Sequence, residues 1–291
     1  MLNHPIARLR NGLLLAALTL TTATLPAQTN GLPLCVMSFN LRFASQQQPH
    51  AWPDRRPVMR DCIRSVAPDI IGTQEGVYPQ LKDLANDLPD YAWIGTGRDG
   101  GSQGEFMAVF YRRERFEPMA YDHFWLSDTP AVIASSTWSN TCRRMVTWVR
   151  FRERQTGREF YFWDTHLDHQ IETARQNGAA LIVERVKALK TSLPVLLVGD
   201  FNAIATQSKA YEIATKDDFF ADTWFLAKER IHESLNSFHG YESPKTNSQR
   251  IDWILVRGPA TVQKSEVITF EQGGQTPSDH FPVATWLTLT E

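Results

Sequence analysis

The stretch Pro194-Val-Leu-Leu-Val-Gly-Asp-Phe-Asn-Ala203 decides how the rest of the chain is read. An unbroken apolar run, Val195 to Val198, between Pro194 and Gly199 has the pattern of a strand buried on both faces. It runs into a carboxylate, Asp200, and a carboxamide, Asn202. Residues two apart on a strand project to the same side, so both groups would face one spot at its carboxyl end. A Gly-Asp-x-Asn turn whose side chains bond local backbone would look the same over this stretch. The rest of the chain has to separate the two.

The beginning of the chain differs in character from the remainder. Arg8 and Arg10, then an apolar stretch from Leu13 to Leu25 softened by threonines, then Pro26-Ala27, read as a secretory signal peptide over residues 1–27. The stretch is too short and threonine-rich to span a bilayer, so no stable membrane insertion is expected. Leu34 before Cys35 is too bulky for a lipid-attachment signal. A periplasmic or secreted location is the expectation. Residues 28–291, about 264 residues, suffice for one large α/β domain with a sizeable core. A formal charge of -2 becomes more negative once Arg8 and Arg10 are removed, because the leader holds no acid. Such a chain lacks the broad basic surface of a general nucleic-acid binder, though a local basic cleft stays open to it. Cys35, Cys62 and Cys142 allow at most one disulfide and have no metal-type spacing. They read as buried thiols.

No repeat, low-complexity segment or linker divides residues 28–291. Strand-like runs recur at 34–43, 70–73, 106–111, 147–151, 159–165, 195–198, 251–256 and 282–289. Helical stretches lie between them at 56–66, 78–87 and 172–190, the last with Leu181, Ile182, Val186 and Leu189 on one side. Many strands with interspersed helices predict packed sheets flanked by helices. The Trp- and Arg-rich stretches "AWPDRRP" and "SSTWSNTCRR" are expected as loops that contact substrate.

Other strands also end in polar groups. Asn40 lies inside the otherwise apolar "VMSFNLRF", Gln74-Glu75 closes "DIIGTQE", His166 closes "FYFWDTH", Asp252 lies within "QRIDWILV", and Asp279-His280 stand between Pro277 and Pro282. Buried charges are costly unless paired or bound to metal. One such strand end is an oddity; their recurrence points to a common acidic pocket. Adjacent residues of a regular strand face opposite ways, so Asp279 and His280 need the loop that the two prolines imply.

In order and spacing this set, from Asn40 to His280, resembles the endonuclease/exonuclease/phosphatase superfamily, and within it secreted bacterial members related to deadenylase-type enzymes. The resemblance implies a DNase I-like four-layer α/β sandwich: two packed mixed β-sheets flanked by helices. It implies Glu75 as principal metal ligand, with Asn40 and Asp279 completing or adjoining that site. Asp200 would orient and deprotonate the attacking water, and Asn202 would assist. His280 would donate to a phosphoryl oxygen while Asp252 holds its ring, and His166 would bind phosphate from the other side. Glu105 would stand behind His166. The chemistry agrees, because phosphoester hydrolysis needs charge neutralisation and an oriented water. Hard oxygen ligands select Mg²⁺ or Mn²⁺.

Plainer readings accompany several residues. Asp168 and His169 read as the cap and entry of the following helix. Arg144 is either a phosphate clamp or a surface arginine on a strand. Trp138, Trp52 and Trp125 are aromatic candidates for stacking on substrate, but with 9 Trp in the chain most must be core. Tyr111 reads as packing. The expected protein is a monomeric metal-dependent phosphoesterase acting on a nucleic acid, nucleotide or sugar phosphate. A catalytically silent binding protein that keeps the fold is the alternative.

Overall fold

Strand residues alternate between faces, and in this protein both faces of most strands are buried. A computed structural model describes residues 1–2 and 31–290. The expected leader, beyond its first two residues, lies outside the described residues. Numbered in chain order, the strands form two sheets. The first has seven, in the order β10 (Glu229–Ile231), β12 (Ala260–Val267), β13 (Val283–Thr290), β1 (Gly31–Asn40), β2 (Ile70–Val77), β4 (Glu105–Arg112), β3 (Tyr91–Ile94). The second has six, in the order β5 (Phe116–Trp125), β6 (Met145–Glu153), β7 (Glu159–His166), β8 (Val195–Asp200), β11 (Asp252–Arg257), β9 (Ala221–Asp222). Both are mixed, with β1–β2 and β7–β8 parallel among antiparallel neighbours.

Three apolar layers explain the four-layer stack. Leu34, Val36, Ile70 and Val109 of the first sheet meet Phe160, Phe162, Leu196, Val198 and Ile254 of the second. The alternate residues face outward. Met37, Phe39 and Ile71 carry Trp52, Met59 and Ile63 of α1 (Trp52–Val66) and Leu81 and Leu84 of α2 (Tyr78–Asp87). Trp163, Leu197 and Leu255 carry Ile182 and Val186 of α3 (Glu172–Ala188) and Ala210 of α4 (Lys209–Thr215). Each fully buried side chain of this kind contributes about 1.5–3 kcal/mol, so the sandwich is held mainly by its aliphatic and aromatic faces. Two polar residues also join the sheets. Gln74 Nε2 on β2 donates to Asp164 Oδ1 on β7 at 2.7 Å, and burial holds the Asp164 carboxyl well above the usual carboxylate range.

The expected elements are present, with shifts that have local causes. Helix α1 begins at Trp52, so "WPDRRP" is its first turns and not a substrate loop. Pro53 sits where a missing N–H costs nothing, and Arg55 is buried. The sequence reading missed β5, whose Pro118 lies at a bulge, and β12, whose bulge and charged residues break the alternation. The three cysteines are unpaired; Cys35 and Cys62 are buried, while Cys142 is half-buried. Among the described residues no helix is long and apolar enough to cross a membrane.

Candidate active site

The face that fills the space between the sheets carries straight on into the polar cluster. On β8 the inward residues are Leu196, Val198 and then Asp200; on β7 they are Phe160, Phe162, Asp164 and then His166. On β11, Ile254 and Val256 share the face of Asp252, and on β1, Leu34 and Val36 share the face of Asn40. Register then sets the row. Asp200 pairs with His166 across β7–β8 and with Asp252 across β8–β11. Asp200 therefore ends a buried strand because that end is the mouth of the inter-sheet space.

Asp200 is surrounded by donors. Its Oδ1 accepts from the Asn202 backbone N–H at 2.9 Å, and its Oδ2 accepts from Asn40 Nδ2 at 2.9 Å. His166 Nε2 and His280 Nε2 lie 3.4 and 3.7 Å from Oδ2. Burial, and then the charge of Asp252, raise the Asp200 pKa to about 7, against the pull of His280. His280 Nδ1 lies 3.0 Å from Asp252 Oδ2. Burial alone would depress that imidazole, but Asp252 and Asp200 outweigh it and hold it up at about 10. His166 is the opposite case: burial, with Arg144 and Arg98 nearby, keeps it neutral. Asn202 Nδ2 donates to Leu167 O at 3.1 Å and lies 3.0 Å from His166 Nε2. One neutral and one charged histidine thus stand on either side of a carboxylate poised to accept a proton.

Glu75 reaches the same mouth by a different device. A register shift between Thr73 and Gly76 and a φ of 61° at Glu75 turn its side chain off the regular alternation. Its Oε1 accepts from Asn40 Nδ2 at 3.1 Å, while Asn40 Oδ1 accepts from the Arg42 N–H. Asn40 thus adjoins the acidic site, donating to both Glu75 and Asp200. Arg42 Nη1 lies 3.8 Å from Glu75 Oε2, and its Nε lies 3.6 Å from Asp279 Oδ2. These carboxylates flank one side-chain cation, which is how residues suited to a bound cation are arranged. Glu75, His166 and Asp200 also bring ligand atoms within 4.8 Å of one another, so the donor set fits a divalent ion between Glu75 and Asp200. Burial raises the pKa of Asp279, with His280 opposing. Asp279 sits in a bend outside any strand, as the prolines imply, His280 follows it in an isolated bridge to Phe238, and Ser278 Oγ ties that bend to Asn40 O at 2.7 Å.

The cleft around this row holds about 300 Å³. Its wall includes Arg144, His169, Arg98, Cys142, Phe43 and Phe238. Arg144 is buried, not a surface arginine, and its Nη2 lies 3.0 Å from His169 Nδ1. Asp168 Oδ1 does accept the N–H groups of Gln170 and Ile171 ahead of α3, but His169 belongs to the cleft. Glu105 lines the same cleft as His166, and both its oxygens accept from Arg98, at 2.6 and 3.1 Å. Trp138 is not in the cleft. Its Nε1 donates to Asp128 Oδ1 at 2.7 Å, and it lines a separate depression beside α3. Trp52 and Trp125 are core, and Tyr111 packs on Phe151. The sequence reading passed over Phe43, Phe238 and Arg98. A Gly-rich turn, "GRDGGSQGE", folding back to set Arg98 against Glu105, was the available signal.

Two face-to-face sheets with a polar cleft at the ends of their inner strands are the architecture of DNase I-like phosphoester hydrolases. A family model described as "Endonuclease/Exonuclease/phosphatase family" matches residues 37–280, and the chain belongs to that family. An endonuclease/exonuclease/phosphatase family protein of Bacteroides thetaiotaomicron is 34% identical, with a TM-score of 0.83 over 88% of this chain and 95% of that one. A mannosyl-6-phosphatase of the same species is 34% identical, with a TM-score of 0.82 over 87% of this chain and 99% of that one. Nocturnin of Drosophila melanogaster is 26% identical over 168 residues, 52% of this chain and 24% of nocturnin. The chain thus matches only part of that curated relative's length, whereas it spans nearly all of the two bacterial structures.

Proposed function

We propose that this protein is a periplasmic or secreted Mg²⁺- or Mn²⁺-dependent phosphoesterase whose substrate is a sugar phosphate. The observation that carries the reaction is the chain Asn40–Asp200–His280–Asp252, a buried carboxylate of raised pKa between fixed donors at the mouth of the fold. The sugar-phosphate reading is supported by likeness to the mannosyl-6-phosphatase over nearly its whole length. The small cleft and the acidic chain favour it over a long nucleic acid.

Glu75, with His166 and Asp200 beside it and Asp279 adjoining, would hold a divalent cation, which when bound would supply positive charge to the phosphoryl oxygens. The protein's own groups do the rest. Asp200 orients a water and takes its proton as the water oxygen bonds to phosphorus in line with the departing oxygen. The bond from phosphorus to the sugar oxygen breaks, and that oxygen leaves as the alcohol after taking a proton from surrounding water. His280, kept charged by Asp252, donates to a phosphoryl oxygen, while Asn202 and neutral His166, bonded to each other, line the cleft beside it.

The test is phosphate release from mannose 6-phosphate, other sugar phosphates, nucleotides and short RNA, with Mg²⁺, with Mn²⁺ and with EDTA. Turnover that needs the metal and falls by roughly 10²–10⁴-fold in Asp200→Asn is expected. If no panel member is hydrolysed, or the variant matches wild type, the silent binding protein is the better reading.

A further inference from the structure

Arg144 immediately precedes β6, and its side chain lines the cleft at only 3% exposure. Its one hydrogen-bond partner among the described residues is His169 Nδ1; Nε and Nη1 are buried with no acceptor. The Glu105 charge acts on Arg144 from a distance but gives it no hydrogen bond, since Arg98 occupies both carboxylate oxygens. A guanidinium stays charged at any working pH. Burying it without a counter-charge is unfavourable unless something else supplies one. Its neighbours on the cleft wall include His166 and Asn202, beside the Asp200 carboxylate that takes the water's proton in the proposed reaction.

A phosphate diester presents two non-bridging oxygens and one negative charge. A monoester dianion presents a third oxygen and a second charge. Attraction to a cation scales with the charge of the ligand. Among the described residues no carboxylate hydrogen-bonds Arg144, while His169 holds the guanidinium in place. Resting on the phosphoesterase reading, we propose that Arg144, positioned by His169, reads the extra charge and oxygen of a terminal phosphate and makes the cleft a monoesterase.

The experiment compares kcat/KM for p-nitrophenyl phosphate and bis(p-nitrophenyl) phosphate in wild type, Arg144→Gln and Arg144→Lys, with thermal melting as the check on folding. Wild type should favour the monoester. In Arg144→Gln, monoester turnover should fall roughly a hundredfold, as when one anion-binding donor is lost. Its loss should exceed the diester loss by roughly tenfold or more, with partial recovery in Arg144→Lys. Equal losses on both substrates, or a wild-type preference for the diester, overturn the proposal. Calorimetry with inorganic phosphate decides the matter without turnover: weaker binding to folded Arg144→Gln supports the role, and unchanged affinity removes it. A wild type that hydrolyses neither ester yet binds phosphate through Arg144 would count against the enzymatic reading alone.

Discussion

Asp252 on β11 stands directly opposite Asp200 on β8, and the His280 ring bridges them, 3.0 Å from the first carboxylate and 3.7 Å from the second. Two buried acids on neighbouring strands repel each other. One imidazolium between them lets both persist, and it ties the titrations of Asp200 and His280 together.

That coupling sets the pH profile. The reaction needs Asp200 ionised and His280 protonated. Activity should therefore be lost as pH falls through about 7, where Asp200 takes up its proton, and lost again as pH rises through about 10, where His280 gives its proton up. Asp252 raises both groups. Asp252→Asn should move both limbs of the kcat/KM profile to lower pH, by about one to three units where the charge is closest. A bell that stays in place would detach Asp252 from this network. A cation at Glu75 acts on Asp200 in the same direction as that substitution, so profiles belong at fixed metal concentration.

Glu75→Gln keeps the shape of the side chain and its contact with Asn40 while removing a charge. Calorimetric Mg²⁺ affinity without substrate should drop by roughly tenfold to a hundredfold. The melting temperature in EDTA should change little, because the carboxylate is partly exposed and Arg42 is its only ion-pair partner among the described residues. Unaltered Mg²⁺ binding would move the cation away from Glu75.

Gly199 precedes Asp200 because no side chain fits there. A Cβ would come within 2.2 Å of the Thr165 carbonyl oxygen on β7. Gly199→Ala should cost about 1–3 kcal/mol of stability by overpacking, read as a lower urea midpoint. It should also reduce turnover, since relief requires β8 to move away from His166. Full stability in the variant would show that the β7–β8 contact is looser than the structure has it.

How much could be read from the chain depends on how each residue reaches the cleft. Asn40, His166, Asp200 and Asp252 extend a period-two pattern, so alternation alone aims them, and register does the rest. Glu75 does not follow that rule; its bulge and positive φ leave no mark in local composition, and only family resemblance singled it out. Trp138 was misplaced, and the partner of Glu105 was not foreseen, for a related reason. A Trp-rich loop does not announce which side of the sandwich it lands on, and a carboxylate's partner depends on a turn that brings Arg98 back alongside it. His169 was hidden by its neighbour, because Asp168 does make the turn that leads into α3.

Arg55 of α1 gives its N–H groups to the backbone oxygens of His50, Leu41, Arg42, Phe43 and Pro277. These carbonyls surround the guanidinium as water surrounds a dissolved ion. The segment after β1 and the approach to the Asp279–His280 bend are therefore folded around a permanent, covalently tethered cation. An exchangeable metal arriving at Glu75 meets a frame that a resident charge has already shaped, and its departure leaves that frame standing.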